Sequence, residues 1–327
     1  MSTSTSSTPK LRSFRVTDIR SWKECRRKFY FEKVLRLKPR TVEGEIGPTI
    51  WGKLGHSALE VADLTGRSPV ECFFEEVQKQ GISIDKEENT LWTSILSEYE
   101  RHHKEMQGGW SNVQTEVNLS WTLPNGVELG GQIDKAGDYQ ARKWIKDYKF
   151  YKRAIKPKIL QLDYQMSAYL FLWKKNFPTD MLAGAFYVVI IKKAPLVPEP
   201  LKNGRISTAK TVVERCTYDS YLQGIVDAGI DPIHYQTELE FLAARTEHPL
   251  ISTEIVRRNP EEIENFEAQV IEETNDMMRC ESPDQYYPNP GDHCSWCPFF
   301  TLCKATQGGN VTEQILDMYE KKQEGER

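Results

Sequence analysis

The stretch "RKWIKDYKF", residues 142–150, decides the fold of this chain. Its uncharged residues are apolar and largely aromatic, as is typical of β-strands. Because side chains alternate across a strand with a period of two, Asp147 and Lys149 lie on the same side. Two opposite charges on one side of such a strand fit an ion pair, a solvated edge strand or a reactive site. The triplet alone does not distinguish these three cases.

The segments around this strand predict the order of the core elements. A hairpin precedes it, with strands at 113–123 and 127–137 and the turn residues "PNG" between them. An amphipathic helix at 158–177 and a fully apolar strand at 181–193 follow it. Since helices precede the hairpin, the order is helix, three strands, helix, strand. This order predicts an α/β or α+β core.

We expect one domain over residues 11–320, between a disordered Ser/Thr-rich tail at 1–10 and a charged tail at 321–327. Its predicted parts are, in chain order, an N-terminal helical part (11–110), the core (111–195), a helical insertion (196–258) and a C-terminal helix with a cysteine-rich segment (259–310). The C-terminal helix is predicted to begin after Asn259 as its cap, with Pro260 in its first turn.

Composition excludes several classes of protein. With 327 residues and 39% hydrophobic residues, the chain can bury a proper core. No run approaches the roughly 18 consecutive apolar residues of a membrane span, and the first residues lack the apolar segment of a secretory signal. We therefore expect a soluble cytoplasmic protein of a prokaryotic or phage-infected cell, with no membrane partner.

The net charge of −4 gives no global indication of nucleic-acid binding, but basic residues are concentrated in two stretches. Residues 10–40 hold twelve Lys and Arg against three acids, and residues 142–158 hold eight against Asp147 alone. The first stretch is interleaved with aromatic residues. Such stretches bind phosphate backbones, and the alternative is two solvated faces that acids elsewhere balance.

A second carboxylate belongs with the Asp147 and Lys149 pair. Asp134 stands in "GGQIDKAG", residues 130–137, at the end of the preceding strand. If the two strands are neighbours, Asp134 and Asp147 converge at one sheet edge with Lys149 beside them. Two carboxylates and a lysine suit a hard divalent cation and a water nucleophile. Gly130 and Gly131 would let a bulky ligand approach the backbone there.

Four motifs in this order resemble those of the PD-(D/E)XK nuclease superfamily, and within it the RecB-type branch. They are "GKLGH" at 52–56, "GGQIDKAG" at 130–137, "KDYK" at 146–149 and "QMSAY" at 165–169. The resemblance covers about residues 15–190 and the C-terminal cysteines. It implies a restriction-endonuclease-like core, with a mixed central sheet flanked by helices.

The resemblance also implies a metal site. His56, Asp134 and Asp147 would ligate Mg²⁺ or Mn²⁺, with the carbonyl oxygen of Tyr148 as a further ligand. Lys149 would orient the attacking water and stabilise charge on the scissile phosphate.

A helix motif completes the implied site. Gln165 and Tyr169 would match the Gln-x-x-x-Tyr helix of the branch, in which positions i and i+4 share one face. Gln161 lies one turn earlier and is a weaker candidate for a contact.

The seven cysteines, an odd number, argue against a disulfide framework and for free or metal-bound thiols. Cys294, Cys297 and Cys303 form C-x₂-C-x₅-C, and Cys25 stands on the first predicted helix. Clustered thiolates suit zinc or an iron–sulfur cluster. The remaining three read as ordinary buried thiols: Cys72, Cys216 and Cys280.

Here too a resemblance favours one alternative. The division into one early and three late cysteines looks like the [4Fe–4S] staple of AddB-type helicase-nucleases and of CRISPR-adaptation exonucleases. Zinc at the same four cysteines is the alternative, and His293 could substitute for one ligand in a zinc site.

A competing motif is "GPTIWGKL", residues 47–54, which matches the start of a phosphate-binding loop. Leu54 stands where such a loop needs Ser or Thr to hold Mg²⁺, and no apolar strand precedes the motif. We therefore expect a nuclease domain without a nucleotide-driven motor.

The resulting expectation is a metal-dependent DNA exonuclease that acts on ends or single strands, in recombination, repair or phage DNA processing. The basic residues from Arg20 to Lys38 would form a channel for a single strand beside the cluster. A recombination or helicase protein is a candidate partner. The alternatives are a non-cutting DNA-binding recombination partner, a CRISPR-adaptation-like end-processing protein with structure-specific endonuclease activity, and a structural zinc protein.

Overall fold

The computed structural model describes residues 12–40, 48–106, 109–152, 156–245 and 250–323. The predicted tail at 1–10 and most of the predicted tail at 321–327 lie outside these ranges. Among the residues so described, no helix is both long enough and apolar enough to span a membrane.

A six-stranded sheet forms the centre of the molecule. Its strands are β1 (Ser13–Arg15), β3 (Ser111–Thr122), β4 (Glu128–Tyr139), β5 (Arg142–Tyr151), β6 (Leu182–Ile191) and β7 (Ile251–Val256). The order is β1-β4-β5-β6-β7, and β3 pairs with β4 on its other side. Strands β1 and β4, and β5 and β6, run parallel; the other neighbours run antiparallel. The predicted mixed sheet is confirmed.

Helices cover both faces of this sheet. The helices between β1 and β3 in sequence are α1 (Val16–Glu24), α2 (Arg26–Phe29), α3 (Pro48–Thr65), α4 (Pro69–Lys79) and α5 (Lys86–Met106). Those after β5 are α6 (Pro157–Gln161), α7 (Tyr164–Asn176), α8 (Lys210–Val213), α9 (Tyr218–Asp227), α10 (Gln236–Ala244), α11 (Pro260–Arg279), α12 (Phe300–Gly308) and α13 (Glu313–Leu316). A small second sheet pairs β2 (Leu37–Pro39) with β8 (Tyr319–Lys321).

The period-two alternation of the strands divides the core into two layers. On β5, Ile145 packs into the layer that α1, α7 and α11 cover, whereas Trp144 and Tyr148 pack into the layer that α3, α4 and α5 cover. On β6 the same division separates Tyr187 from Val188. Burial of both faces explains why β6 is apolar almost throughout, and it confirms the predicted fold class of a sheet flanked by helices.

The region predicted as a helical insertion (196–258) is helical in its middle but ends in a strand. Helices α8, α9 and α10 pack around their own small core, as the prediction requires. Residues Ile251–Val256, however, form β7, which pairs antiparallel with β6. The prediction of helix there was wrong because "ISTEIV" is short, β-branched and buried at both ends, which suits a strand.

Two predicted helices are interrupted, and the second interruption has a side-chain cap. The first helix breaks at Cys25, which has an extended backbone, and continues as α2 and a π-helical turn at Tyr30–Val34. The helix predicted at 158–177 breaks before α7, where the Asp163 carboxylate accepts a hydrogen bond from the Met166 amide at 3.0 Å. The predicted Asn259 cap is confirmed, since its side chain accepts from the Glu262 amide at 2.8 Å.

Candidate active site

The site lies at a fork in the sheet. On the same side of β4, residues 128–130 pair with β1 and residues 135–139 pair with β5. Between these two partners Asp134 has no strand neighbour on that side. The pairing with β3 is also interrupted at this point, since Glu116 adopts a positive φ of 50° between two paired positions. The interruption leaves the Asp134 carboxylate free to accept a hydrogen bond from the Tyr148 amide at 2.7 Å.

Strand β5 supplies the second carboxylate and the lysine. Lys149 Nζ lies 2.6 Å from Asp147 Oδ2, and Asp147 is only 1% exposed. Among the described residues this ion pair is the contact that Asp147 Oδ2 makes, and the oxygen has no further hydrogen-bond partner. A carboxylate oxygen with a single partner keeps a lone pair that a ligand could use.

Helix α3 brings His56 to this point. His56 Nδ1 lies 3.3 Å from Asp134 Oδ2, and its ring packs against Phe150 with a centroid distance of 5.4 Å. The preceding residue, Gly55, permits this approach, because a Cβ there would meet the Phe150 ring at 2.7 Å and the Trp92 ring at 2.9 Å. A side chain at position 55 would therefore push the helix away from the sheet.

Helix α7 supplies the polar residues that contact Asp147. Gln165 Nε2 donates to Tyr169 Oη at 2.5 Å and, at 3.4 Å, to Asp147 Oδ1. Arg20 of α1 donates to Gln165 Oε1 at 2.6 Å. Gln161 does not join this group, because helix α6 ends before α7 begins. The side-chain amide of Gln161 instead donates to the Ile255 carbonyl oxygen at 3.0 Å.

The two glycines of the second motif have a different role from the one expected. A Cβ at Gly131 would meet Tyr169 and Leu172 of α7 at 3.0 Å, whereas one at Gly130 would meet only the Leu119 carbonyl oxygen at 3.8 Å. Gly131 thus allows close packing of α7 on the sheet rather than the approach of a ligand.

The electrostatics of the two carboxylates differ. Burial raises the pKa of Asp147 to about 6, against the opposing influence of Lys149. Burial acts in the same direction on Asp134, but the hydrogen bond and charge of His56 hold its pKa below the usual value. The pKa of Lys149 is raised, because the two carboxylates outweigh the effect of its burial. The metal-free site therefore holds two acids of unequal strength around one firmly charged lysine.

The donor set fits a hard divalent cation. Among the described residues, no three His, Cys, Asp or Glu side chains are grouped closely enough to hold a metal ion as they stand. Carboxylate oxygens are nevertheless the preferred ligands of Mg²⁺, and Lys149 is the partner that the structure shows for Asp147 Oδ2. His56, Asp134 and Asp147 are the residues at the fork that would hold the ion. The role of the Tyr148 carbonyl oxygen stays a prediction.

One acid at the site was missed by the sequence reasoning. Burial raises the pKa of Glu116, and the charges of Asp134 and Glu60 raise it further, which places its carboxyl beside the site. Glu60 lies one turn after His56 on α3 and accepts a hydrogen bond from Thr115 at 3.0 Å. No spacing rule connects Glu116 to Asp134; only the register of β3 on β4 brings them together.

The opposite face of β5 carries a buried charge network. Asp63 of α3 accepts from Lys135 Nζ at 2.7 Å and from Tyr148 Oη at 2.5 Å. Lys146 Nζ lies 3.1 Å from Tyr148 Oη and 3.2 Å from Tyr99 Oη. Burial lowers the pKa of Lys146 to about 7, although the Asp63 charge opposes this. This network anchors α3, the helix that presents His56.

Part of the first basic stretch is neutralised. Five of its bases form ion pairs: Lys23 with Glu273, Arg26 with Asp276, Lys28 with Glu24, Lys33 with Asp18 and Lys38 with Glu320. Arg20 instead donates a hydrogen bond to Gln165. The alternative of charges balanced by acids elsewhere describes these five residues, and the DNA channel from Arg20 to Lys38 stays a prediction.

The four cysteines at ligand spacing lie close enough for their charges to act on one another, but in the described chain no three of them are grouped closely enough to hold a metal ion as they stand. Burial raises the pKa of Cys297, and the charges of Cys25 and Cys294 add to this effect. The pKa of Cys303 is raised by burial, with further contributions from Cys25 and Cys297. All four are free thiols.

Two features near the cysteines bear on the zinc alternative and on how the thiols are packed. His293 Nε2 is buried with no hydrogen-bond partner among the described residues. Phe31, Phe299, Leu302 and Tyr319 form a small apolar core against Cys297 and Cys303. The thiols are thereby shielded on one side.

The competing phosphate-loop motif is not a loop in the part that the structure describes. Gly52 and Lys53 lie within α3, which begins at Pro48. A phosphate-binding loop requires these residues to wrap a phosphate before the helix starts. This arrangement excludes a nucleotide site of that type at Lys53.

Comparison with known proteins agrees with the geometry. No curated protein matches the chain. A solved structure described as the crystal structure of SSO0001 is similar over 92% of this chain and 88% of its own, with 12% sequence identity and a TM-score of 0.36, and a likeness this remote adds no argument. The family model of the PD-(D/E)XK nuclease superfamily, in contrast, matches residues 13–304. With a match over most of its length, the chain belongs to the PD-(D/E)XK nuclease superfamily.

Proposed function

We propose that the protein is a Mg²⁺- or Mn²⁺-dependent DNA exonuclease whose site is formed by His56, Asp134, Asp147 and Lys149. The observation that carries this proposal is the meeting of two carboxylates, a histidine and a lysine at the fork in the sheet: Lys149 Nζ lies 2.6 Å from Asp147 Oδ2, and His56 Nδ1 lies 3.3 Å from Asp134 Oδ2. Two carboxylates and a histidine are ligands that suit a hard divalent cation, and the adjacent lysine can stabilise charge on a phosphate.

Each residue has a distinct role in this proposal. A bound divalent cation would supply a water nucleophile of lowered pKa and stabilise charge on the phosphate. Asp134 and Asp147 hold the ion, and the Tyr148 amide fixes the orientation of Asp134. Lys149 orients the water and stabilises developing negative charge. Gln165 and Tyr169 fix Asp147 from the α7 side.

Four substitutions separate these roles. Asp134→Ala and Asp147→Ala remove charge that holds the cation, so both metal binding and cleavage are lost. Lys149→Ala leaves the ligands in place, so Mn²⁺ still binds in calorimetry while cleavage is lost. His56→Ala has a milder effect, because water replaces a neutral ligand at a hard-cation site. Full activity of Asp134→Ala, Asp147→Ala or Lys149→Ala would refute the assignment.

The preference for DNA ends rests on the motif resemblance to the RecB-type branch. The experiment compares end-labelled linear DNA with covalently closed single-stranded circles of the same sequence, in Mn²⁺ and in Mg²⁺. An exonuclease degrades the linear strand and leaves the circles intact. Equal rates on both would establish the structure-specific endonuclease instead, and binding without cleavage in either metal would establish the non-cutting recombination partner.

We further propose that Cys25, Cys294, Cys297 and Cys303 hold a [4Fe–4S] cluster. The mutual effect of the thiols on each other's pKa supports their proximity, and Cys₄ ligation suits such a cluster. Protein purified without oxygen should be brown, with absorbance near 400 nm and iron by elemental analysis. Zinc at one per chain with no iron would establish the alternative metal.

A matched pair of variants tests the cluster. Cys25→Ser is expected to lower the iron content and the melting temperature, since the cluster would close a loop from residue 25 to residue 303. By the chain-entropy estimate for long loops, such a closure stabilises by about 4–5 kcal/mol before strain is subtracted. Cys72→Ser is the control, because Cys72 is buried in the α4 core, away from the other thiols. Its iron content should equal that of the wild type.

A further inference from the structure

A cavity of about 460 Å³ lies where β5 and β6 end. These strands run parallel, and the Lys192 amide donates to the Tyr151 carbonyl oxygen at 2.7 Å, so Lys152 and Lys192 leave the sheet side by side. Lys193 also lines the cavity. We call the lining the Trp51–lysine patch, and it consists of Trp51, Glu88, Leu91, Trp92, Lys152, Lys192 and Lys193.

The three lysines of this patch differ from the first basic stretch. In the part of the chain that the structure describes, none of them forms an ion pair, whereas most bases of residues 20–38 do. Lys192 is half-buried, and its pKa is lowered by burial and then by the charge of Lys152. The one acid in the lining, Glu88, accepts a hydrogen bond from the Trp92 indole at 3.0 Å. An anion between the lysines would relieve their mutual repulsion.

The aromatic side of the patch is rigid. Trp51 stacks on Phe73 at 6.3 Å and on Trp92 at 6.2 Å between ring centroids, and it remains partly exposed to the cavity. Trp92 packs on Phe150 at 5.4 Å, and Phe150 packs on His56 at the same centroid distance. A continuous aromatic row therefore connects the patch to the candidate active site.

We propose that the Trp51–lysine patch binds one strand of nucleic acid next to the active site, with a base stacked on Trp51 and phosphates on the lysines. This inference rests on the proposed nuclease function and specifies how its substrate is held. Lys149 and Lys152 are three residues apart on an extended chain, about 10 Å. One continuous strand can thus contact both the catalytic lysine and the patch.

The chemistry favours a single strand over a duplex. Stacking on an aromatic side chain requires an unpaired base, and it contributes about 1–3 kcal/mol per base with little dependence on sequence. A duplex would offer its phosphates to the lysines but no base to Trp51. A free mononucleotide offers a base to Trp51 and one phosphate to the lysines. It lacks the second phosphate that a row of three lysines can contact.

The test measures binding and chemistry separately. Binding of fluorescein-labelled oligothymidylate is followed in EDTA, for the wild type, for Lys152→Gln/Lys192→Gln/Lys193→Gln and for Trp51→Leu. The triple variant should bind at least tenfold more weakly, with the slope of log K against log salt reduced by about 2, as expected when three single-strand phosphate contacts are lost. Trp51→Leu should weaken binding about tenfold without changing the slope, and Trp51→Phe should retain most of the affinity.

The matched control neutralises three exposed lysines remote from the cavity, in Lys79→Gln/Lys202→Gln/Lys210→Gln. It changes the net charge equally and should leave binding unchanged. If it weakens binding as much as the patch variant, the effect is one of net charge and the proposal fails. The proposal also fails if Trp51→Leu binds oligothymidylate normally, if Trp51→Leu weakens duplex binding as much as single-strand binding, or if thymidine 5′-monophosphate binds as tightly as the oligomer.

A small substrate separates this inference from the proposed function. Hydrolysis of the p-nitrophenyl ester of thymidine 5′-monophosphate in Mn²⁺ requires the active site but little of a strand. Patch variants should retain this activity while their cleavage of oligothymidylate at subsaturating concentration falls about tenfold. If the wild type hydrolyses neither substrate, the proposed function fails. If the patch variants cleave the oligomer normally, the patch alone fails.

Discussion

The two faces of β5 bury charges in opposite ways. On the α7 face, Asp147 has a pKa raised to about 6 by burial and an oxygen with no hydrogen-bond partner among the described residues. On the α3 face, Asp63 is also buried, but it accepts from both Lys135 and Tyr148, and its pKa is lowered despite burial. Strand β5 thus carries Asp147, one oxygen of which has no hydrogen bond beyond its ion pair with Lys149, and it contacts Asp63, which accepts two hydrogen bonds.

The two carboxylates differ in what their surroundings require. A satisfied network in a low-dielectric interior fixes the elements that it joins, and removing one partner leaves an uncompensated charge. In the proposed function, a cation that binds the folded chain at Asp147 would stabilise it. Substitutions on the α7 face should therefore change activity more than stability. Substitutions on the α3 face should change stability more than activity.

The largest effect is expected for Asp147→Asn. Loss of a charged ligand costs several kcal/mol of transition-state stabilisation, so cleavage should fall about 10³-fold or more. Single-turnover cleavage of a labelled strand measures this loss. Asp219→Asn, which alters an exposed acid paired with Arg101, is the control and should cleave normally.

The same variant should also change the pH dependence of stability. Because the pKa of Asp147 is about 6 in the folded metal-free chain and 3.8 ordinarily, the folded state holds the proton more tightly, and stability falls as pH rises from about 4 to about 6. Asp147→Asn removes this cost of burial but also removes one of the two counter-charges of Lys149. The free energy of unfolding in EDTA at pH 7.5 should therefore change by less than about 3 kcal/mol, and it should no longer fall between pH 4 and pH 6. A variant that keeps this fall would contradict the comparison.

Asp63→Asn should have the converse profile. It leaves the charges of Lys135 and Lys146 buried without their counter-charge, which costs about 3–5 kcal/mol in unfolding free energy. Urea unfolding in EDTA measures the change. Glu75→Gln on the adjacent α4 removes an exposed partner of Arg67 and should have no measurable effect. If Asp63→Asn is as stable as the wild type, the α3 face does not stabilise the fold as described.

Tyr148→Phe gives a finer test, because this residue contacts both faces. Its hydroxyl donates to Asp63, whereas its amide donates to Asp134. The substitution removes only the hydroxyl, so the free energy of unfolding should fall by about 1–3 kcal/mol while cleavage by the folded protein stays within a few-fold of the wild type. Melting in EDTA and single-turnover rates measure the two effects. A large loss of cleavage in fully folded protein would show that the two faces are not separable.

The sequence predicts the α7 face much better than the α3 face. The strand period placed Asp147 and Lys149 on one side, and the expected pairing of two strands added Asp134. The motif resemblance, rather than periodicity, implied Gln165 and Tyr169. The structure brings these five residues to one fork, and their roles stay predictions.

The network around Asp63 was not predicted, because it depends on tertiary packing. Asp63 looks like a solvated helix residue, and only the docking of α3 on the sheet brings it to Lys135. The same reason explains the missed Glu116, whose position depends on strand register. It also explains why the sequence left open whether acids balance the first basic stretch, since two of its acid partners are Glu273 and Asp276 on α11, 250 residues away.

The smallest effect is expected for Gln165→Ala on the α7 face. Gln165 donates to Asp147 and accepts from Arg20, so its removal loosens Asp147 without removing a metal ligand. One such hydrogen bond contributes about 1 kcal/mol, and single-turnover cleavage should fall about five- to tenfold with little change in melting temperature. Gln161→Ala, at the end of α6, removes a contact with the β7 backbone, and this variant should cleave normally. If both variants lose cleavage equally, the effect arises from the α6–α7 region as a whole, and Gln165 does not position Asp147.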